Sequence, residues 1–445
     1  MKKLFLFAAL AAAVLTSCVK THDTHKSTSQ GDALSFGVYT PRTVDTKATY
    51  GDIASTTTLQ GSTDGFGVFA YYTMKYNWAD ASQDWDGSVA GDQKLGEATI
   101  PNFMYNQQVV YDAGANATLY PANWVYTPLK YWPNGQNAST GVEDYTAAAT
   151  SADKISFFAY APHIATADLN SVPAAGQGIT SMSNNYDKGV PTITFSVPDN
   201  TNQQIDLLYA TPVYDQTKMA LNGKVSFTFH HALSKLNYQV QAVVDDTPAN
   251  APTSNLTNDG DDVLETDETM IILKSLVISA AGAKTGTLEL ATGTWTLPGS
   301  PVTSVITYDS DAFNFGKETG NAYDASTNSI AIEPVTGYSG FNVLEAAHDI
   351  NSKIAPMIIP GTIAAHGLQV TADYYVITKD TALAAGYSVV ENQITADNAA
   401  GITFAQGKKY NIVVRLGLNS VDFNVTSVDG WDSQTGDPID LPANS

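Results

Sequence analysis

The sequence predicts an all-β protein built from antiparallel β-sandwiches. Apolar and polar residues alternate with period two along most of the chain, a pattern typical of half-buried strands. Amphipathic helical patterns are nearly absent, and Asn-Gly, Asp-Gly and Gly-Lys pairs separate the alternating stretches as turns. Together these observations favour sheets packed face to face over a helical or an α/β fold.

The first 17 residues have the layout of a secretory signal peptide. Lys2 and Lys3 form a positive head, and residues 4–15 form an unbroken apolar run that is followed by small polar residues. A helix rises about 1.5 Å per residue, so this run reaches only about 18 Å. A permanent membrane span needs about twenty residues. The segment therefore fits a translocated leader better than a membrane anchor.

The only cysteine, Cys18, cannot form an internal disulfide. It follows Leu15, Thr16 and Ser17, and this Leu-Thr-Ser-Cys sequence resembles the bacterial lipobox. The resemblance implies cleavage between Ser17 and Cys18 and attachment of acyl chains, such as palmitate, at Cys18. Val19, rather than aspartate, follows the cysteine, which implies sorting to the outer membrane. An ordinary signal peptide with a chance cysteine is the alternative.

The charge balance excludes some classes of partner. The chain has 44 acidic and 22 basic residues, a net charge of −22, which argues against binding nucleic acid or anionic lipid through charge. Charged residues make up only 15% of the chain, and Thr, Ser, Asn, Gly and Tyr are abundant, as on β-rich extracellular surfaces. No later apolar run approaches a membrane span, so lipid would be the only anchor.

Composition and patterning divide the rest of the chain. Residues 18–33 are polar and aperiodic, which predicts a flexible tether. We expect an N-terminal β-sandwich domain over 34–215 and a C-terminal one over 222–445, with the boundary in the stretch 211–223. Residues 245–268 are acidic and lack large apolar groups, which predicts an exposed loop in the second domain.

Several alternating stretches are the predicted strands. The segment 155–162, ISFFAYAP, has apolar residues on both faces, so we expect it to be covered on both sides. The other main segments show a cleaner alternation: FGVFAYY, KVSFTF, LNYQVQAV, LQVTADYYVI, YNIVVRLGL and VDFNVTSV.

The stretch 225–241, VSFTFHHALSKLNYQVQ, resembles the fimbrillin-like surface lipoproteins of Bacteroides-type bacteria. Other segments follow in the order that this family shows, and the similarity covers residues 34–431. These segments are LSFGVYTPRT, GFGVFAYY, WVYTPLKYWP, ISFFAYAPH, TGTLELATGTW, IAPMIIPG and KKYNIVVRLGLNSVDFNVTSVDGW.

The resemblance implies two transthyretin-like β-sandwich domains and a role as a pilus subunit. It implies export as a lipoprotein, removal of the N-terminal segment by a trypsin-like or arginine-specific protease, and filling of the opened groove by a C-terminal strand of another subunit. Such β-augmentation uses backbone hydrogen bonds and pockets for alternate side chains. The implied partners are copies of the chain or related subunits, the outer membrane through lipid, and an adhesive ligand on a host or bacterial surface.

Arg42 fits this scheme on independent grounds. It follows the predicted strand 34–39, so cleavage between Arg42 and Thr43 would release the lipid and that strand together. The only other arginine, Arg415, lies inside a predicted strand, where a protease could not reach it. Lys47 is a second candidate site. The alternative is that Arg42 is a polar residue at the end of a strand.

Two C-terminal segments are candidate donor strands. Val421, Phe423 and Val425 alternate well, although a core strand is the interpretation that we favour for them. In the tail, Ile439 and Leu441 alternate, but flanking prolines would remove hydrogen-bond donors from a ladder. A chain that neither loses its first strand nor donates a last one would serve as a base anchor or a tip subunit.

The sequence shows no P-loop, no Gly-x-Ser-x-Gly and no His-Glu-x-x-His, so we expect no enzyme activity and no cofactor. His22 and His25 lie in the tether. His230 and His231 are adjacent in a predicted strand and so point to opposite faces, which disfavours a shared metal ion. We therefore assign no catalytic residue and no metal site.

The main rival function is glycan binding by a lipid-anchored surface protein. Aromatic side chains concentrate in the first predicted domain, where exposed rings could stack on sugars and buried rings would instead fill the core, the interpretation we favour. They are Trp78, Trp85, Trp124, Tyr126, Tyr131 and Trp132.

Overall fold

A computed structural model describes residues 34–39, 53, 56–74, 76–79, 100–112, 124–133, 153–199, 203–217, 224–243, 269–298, 304–309, 332–335, 337–343, 347–350 and 356–431. Almost all regular structure in these residues is β. The helical elements with described bounds, helix α1 (Thr56–Gly61) and a 3-10 turn (Thr166–Asp168), are short. No helix in the described part of the chain is long and apolar enough to cross a membrane.

The first half of the chain, as we use the term, ends with strand β10 at His231 and contains ten strands with described bounds. They are β1 (Ser35–Tyr39), β2 (Phe66–Met74), β3 (Met104–Tyr111), β4 (Trp124–Val125), β5 (Lys154–Ala161), β6 (Gly178–Met182), β7 (Thr192–Ser196), β8 (Leu208–Ala210), β9 (Val213–Gln216) and β10 (Lys224–His231).

The strands of the second half are on average longer. They are β11 (Ser234–Ala242), β12 (Thr269–Ala280), β13 (Thr285–Glu289), β14 (Trp295–Thr296), β15 (Ser304–Asp309), β16 (Ile332–Val335), β17 (Tyr338–Val343), β18 (His348–Asp349), β19 (Met357–Ile358), β20 (Gly361–Ile363), β21 (Leu368–Lys379), β22 (Tyr387–Asp397), β23 (Ile402–Phe404), β24 (Lys408–Leu416) and β25 (Val421–Gly430).

One large sheet dominates the first half. Within the described residues its strand order is β1-β10-β8-β5-β2-β3-β4, and β9 pairs with β5. The pairs are antiparallel except for β1 and β10, which run parallel. Strand β1, the first strand of the described residues, is therefore an edge strand of this sheet.

A smaller sheet combines strands from both halves of the chain. Its order is β14-β13-β7-β6, so the hairpin β13–β14 pairs with β7 of the first half. Strand β10 belongs to the large sheet, whereas β11, which begins three residues later, belongs to a sheet of the second half. The division into domains at residues 215 and 222 stays a prediction.

The second half contains a sandwich of two sheets. One has the order β18-β11-β24-β25, with β19 also paired to β11, and the other has the order β16-β17-β12-β21-β22, with β15 also paired to β12. Strands β11 and β24 are parallel, and β20 pairs with β23 in a separate ribbon. The inner faces of the two sheets share one apolar core.

The large sheet is buried on both faces, as the sequence predicts for β5. Ile155 and Phe157 of β5 pack in a first core with β1, whereas Phe158 and Tyr160 pack in a second core with the smaller sheet. Alternation over 66–72 places Phe66 in the first core in the same way. The all-β antiparallel fold class is confirmed, and the assignment of two transthyretin-like domains stays a prediction.

Candidate functional site

The residues predicted for lipidation and processing lie outside the described residues. These are Ser17, Cys18, Arg42 and Thr43. Strand β1, which the predicted cleavage would release, is described. The candidate site is therefore built from β1 and the groove in which it lies.

Strand β1 fills an apolar groove with alternate side chains. Leu34, Phe36 and Val38 are 2%, 0% and 8% exposed and belong to the first core. Gly37 faces the other way, beside the side chains of Lys224 and Ser226. This alternation is the one that the sequence predicts for 34–39.

Phe36 is the centre of the groove. Its ring stacks on Phe227 with 5.8 Å between centroids and meets Phe66 and Phe157 edge-on at 6.1 and 6.3 Å. The ring of Tyr126 is the fourth neighbour, with 5.3 Å between its centroid and that of Phe36. Aromatic pairs in these arrangements contribute beyond the area that they bury.

Backbone pairing holds β1 on one edge. Its five residues pair in parallel with β10, from Ser35 opposite Lys224 to Tyr39 opposite Thr228. On the other edge, the N–H of Leu34 donates to the carbonyl oxygen of Lys130 at 3.0 Å, and the Tyr126 hydroxyl donates to the carbonyl oxygen of Leu34 at 2.8 Å. An end strand held in this way can leave without breaking the order of the remaining strands.

The groove cannot stay empty. Burial of one large apolar side chain contributes about 1.5–3 kcal/mol, and whole domains are stable by only about 5–15 kcal/mol. Loss of Leu34, Phe36 and Val38 together would therefore remove a large share of the net stability. A protein that lost β1 would need another strand in the same place.

The aromatic residues considered for glycan stacking are mostly core residues. Trp78, Trp124 and Trp132 are each 7% exposed and Tyr126 is 8% exposed, whereas Tyr131 is 57% exposed. Trp85 lies outside the described residues. The four buried rings pack against neighbouring rings rather than forming an exposed flat face.

His230 and His231 occupy opposite faces of β10 and have different partners. His230 Nε2 lies 2.8 Å from the Thr211 hydroxyl. His231 is buried, with Nδ1 3.0 Å from Asp206, and its ring stacks on Trp431 at 3.9 Å. Both residues therefore have structural partners, and no metal-binding group of three His, Cys, Asp or Glu side chains occurs in the described residues. His22 and His25 lie outside them.

A cleft of about 230 Å³, with both apolar and polar lining residues, lies beside the loop after β5. Its lining includes Asp64, Gln108, His163 and Asp168. Burial lowers the pKa of His163 to about 4, so its ring is neutral at physiological pH. Burial also raises the pKa of Asp64.

The C-terminal candidates differ in their setting. Val421, Phe423 and Val425 of β25 are partly buried and pack against the core of the second half. This packing agrees with a core strand, although β25 ends its sheet and its apolar side chains are only half covered. The tail after Trp431, with Ile439 and Leu441, lies outside the described residues.

Arg415 lies in a strand, as the sequence predicts: it is the last residue but one of β24, which is paired with β11 and β25. Its Nε is 2.5 Å from Asp422. Because β24 is paired on both edges, the backbone groups around this arginine are already hydrogen-bonded and are not free to pair with a protease.

Known proteins give two informative matches. No family model matches the chain. A fimbrium subunit, Fim1C, from Phocaeicola vulgatus is 27% identical, over 98% of this chain and 98% of that protein. The resemblance to fimbrial subunits is therefore confirmed. A crystal structure of a fimbrial protein from Bacteroides vulgatus matches with a TM-score of 0.58 and 24% identity, over 90% of this chain and 99% of that one. This second match shows that the fold is shared with a fimbrial protein.

The sequence did not reveal the role of Tyr126. The residue belongs to an aromatic block, WVYTPLKYWP, that is compatible with a core or with sugar stacking. Nothing in the local pattern pairs Tyr126 with Leu34, 92 positions away in sequence. The turn around Pro128 was the one available signal that the chain reverses there.

Proposed function

We propose that the chain is a structural subunit of an adhesive surface filament, assembled by exchange of β1 for a C-terminal strand of another copy. The observation that carries the proposal is the position of β1, at the end of its sheet with three inward side chains buried in a groove. Similarity to a fimbrium subunit over nearly the full length supports a structural role. Head-to-tail contacts of this kind do not close, so they build fibres.

Processing at Arg42 would start assembly. Arg42 follows Tyr39, the last residue of β1, by three positions, so cleavage before Thr43 separates the strand from the body. In the precursor, acyl chains on Cys18 hold the chain in the outer membrane, and the same cut releases them. The second arginine, Arg415, is protected within β24.

The donor would come from the C-terminal end of a neighbouring copy. The pattern Val421-x-Phe423-x-Val425 resembles Leu34-x-Phe36-x-Val38, which starts one residue before β1. The tail 432–445 offers Ile439 and Leu441 as the other candidate. In both cases the partner is a protein strand, and the mechanism needs neither turnover nor a cofactor.

Mass spectrometry of the mature N-terminus in surface filaments tests this proposal. The expected start is Thr43, and an Arg42→Ala chain should remain monomeric at the cell surface. Lys47→Ala is the matched control, because it removes a nearby basic residue and should assemble normally. Filaments formed by the Arg42→Ala chain would refute Arg42 as the processing site. Surface protein that starts at acylated Cys18 would instead identify a retained anchor subunit.

A further inference from the structure

A short turn holds β1 from the edge that faces away from β10. We name the turn 126–130, between Tyr126 and Lys130, the clasp. The clasp uses both backbone groups of Leu34, because Lys130 accepts the N–H at 3.0 Å and Tyr126 donates to the carbonyl at 2.8 Å. One turn thus fixes the position of one residue of the strand along the groove.

The Tyr126 hydroxyl also closes the clasp itself. The N–H of Lys130 donates to this hydroxyl oxygen at 3.3 Å. Burial of Tyr126 raises the pKa of its phenol to about 12, so the hydroxyl keeps its proton and remains a donor at physiological pH. The contact to Leu34 is therefore available whenever a strand occupies the groove.

The same residue contacts the central side chain of the strand. The Tyr126 ring packs edge-on against Phe36, with 5.3 Å between centroids and 64° between planes. Tyr126 thus contacts the backbone of Leu34 and the side chain two residues further along. A strand that slides by two residues would keep its inward face but would lose the match between these two contacts.

We propose that the clasp sets the register of the strand in the groove and selects strands with an aromatic side chain two residues after the one whose backbone it binds. The proposal rests on the proposed function, because it concerns the strand that a second copy would insert. The segment around Val421 and Phe423 meets the requirement, whereas Ile439 and Leu441 of the tail offer no aromatic side chain. Tyr126 is thus a positioning residue, and the clasp favours the first segment as donor.

Hydrogen–deuterium exchange of the full chain tests whether the clasp holds β1. Tyr126→Phe removes one hydroxyl and keeps the ring, and the loss of one hydrogen bond should speed amide exchange over residues 34–39 by about tenfold. Tyr374→Phe is the matched control, because it removes a buried hydroxyl that donates to Gly417 at 2.9 Å in the second half. The control should leave exchange over 34–39 unchanged. Wild-type exchange over 34–39 in Tyr126→Phe would overturn the proposal.

A swapped strand tests the register itself. The double variant Phe36→Val, Val38→Phe keeps the composition of β1 but moves the aromatic ring away from Tyr126. If the clasp sets the register, adding Tyr126→Phe lets this strand slide by two residues, so exchange over 34–39 should stay constant or slow. The same tenfold acceleration in the swapped and the natural strand would overturn the register claim.

Neither measurement involves a second copy of the chain. A clasp that behaves as expected in a chain that forms no filaments would support its role in the register of β1 and refute the proposed function. Suppose instead that the chain forms filaments but Tyr126→Phe leaves amide exchange over residues 34–39 unchanged. That result would support the proposed function and refute this inference.

Discussion

Strands β1 and β25 both end a sheet and carry the same alternation, but different forces hold them. Phe36 and Val38 of the five-residue β1, together with Leu34 just before it, lie in the first core with at most 8% exposure. The ten residues of β25 pair along most of β24, whereas their apolar side chains are only partly covered. Side-chain burial therefore dominates at β1, and backbone pairing dominates at β25.

This contrast fits the two roles in the proposed strand exchange, with the groove of β1 as the acceptor and β25 as the donor. A groove that gains most of its stabilisation from a few pockets can accept any strand with the right side chains. A strand that is held mainly by its ladder can exchange that ladder for an equivalent one with little net change. Under the proposed function, this pair of strands would let a stable monomer exchange strands with another copy.

The largest expected effect comes from truncating the two phenylalanines. Phe36→Ala should lower the free energy of unfolding by about 3–5 kcal/mol, because it leaves a cavity among four rings. Phe423→Ala is the matched change at β25 and should cost about 1–2 kcal/mol, because its ring is partly exposed. Urea unfolding of both variants measures the difference. Equal losses would contradict the contrast between the strands.

Acid should weaken the half that contains β1. Burial lowers the pKa of His163 to about 4 from an ordinary 6.5, so between these values the unfolded chain binds a proton that the folded chain does not. The stabilisation from the neutral ring is present above pH 6.5 and is lost as the pH falls toward 4, by up to about 3 kcal/mol. Unfolding free energies measured from pH 7 to pH 4 should show this decline.

A His163→Gln chain should lose most of that pH dependence, since glutamine does not titrate. His366→Asn serves as the control for removal of a histidine elsewhere, because this side chain is 68% exposed and lies 3.0 Å from Asp397 in the second half. A His163→Gln chain with an unchanged decline would show that other groups cause the acid sensitivity.

The smallest effect is expected at the ion pair that joins β24 to β25. Asp422→Ala removes the partner of Arg415, and both side chains are substantially exposed, at 62% and 39%. Exposed pairs contribute about 0–1 kcal/mol, so the unfolding midpoint in urea should hardly move. A loss as large as that of Phe423→Ala would show that the ion pair, not the ladder, holds β25.

Local patterns predicted much of what the structure contains. Alternation identified β1, both buried faces of β5, and the strand β24 that contains Arg415. Each of these follows from the period of a strand, which any short window of sequence displays.

The pairing of strands that are distant in sequence could not be predicted from local alternation. The parallel register of β1 with β10 joins Phe36 to Val225, and β13 of the hairpin β13–β14 pairs with β7 across a gap about half as long. The hydrogen bonds of Tyr126 and Lys130 to Leu34 are of the same kind. Sequence periodicity states which face of a strand is buried but not which distant strand lies beside it.

Electron cryomicroscopy of filaments assembled from this chain tests the central claim most directly. The account predicts that the place beside β10 holds a strand from the neighbouring copy, parallel to it, with an aromatic side chain among Phe66, Phe157 and Phe227 and with residues 34–39 gone. Filaments in which each copy keeps its own Phe36 in that pocket would contradict it.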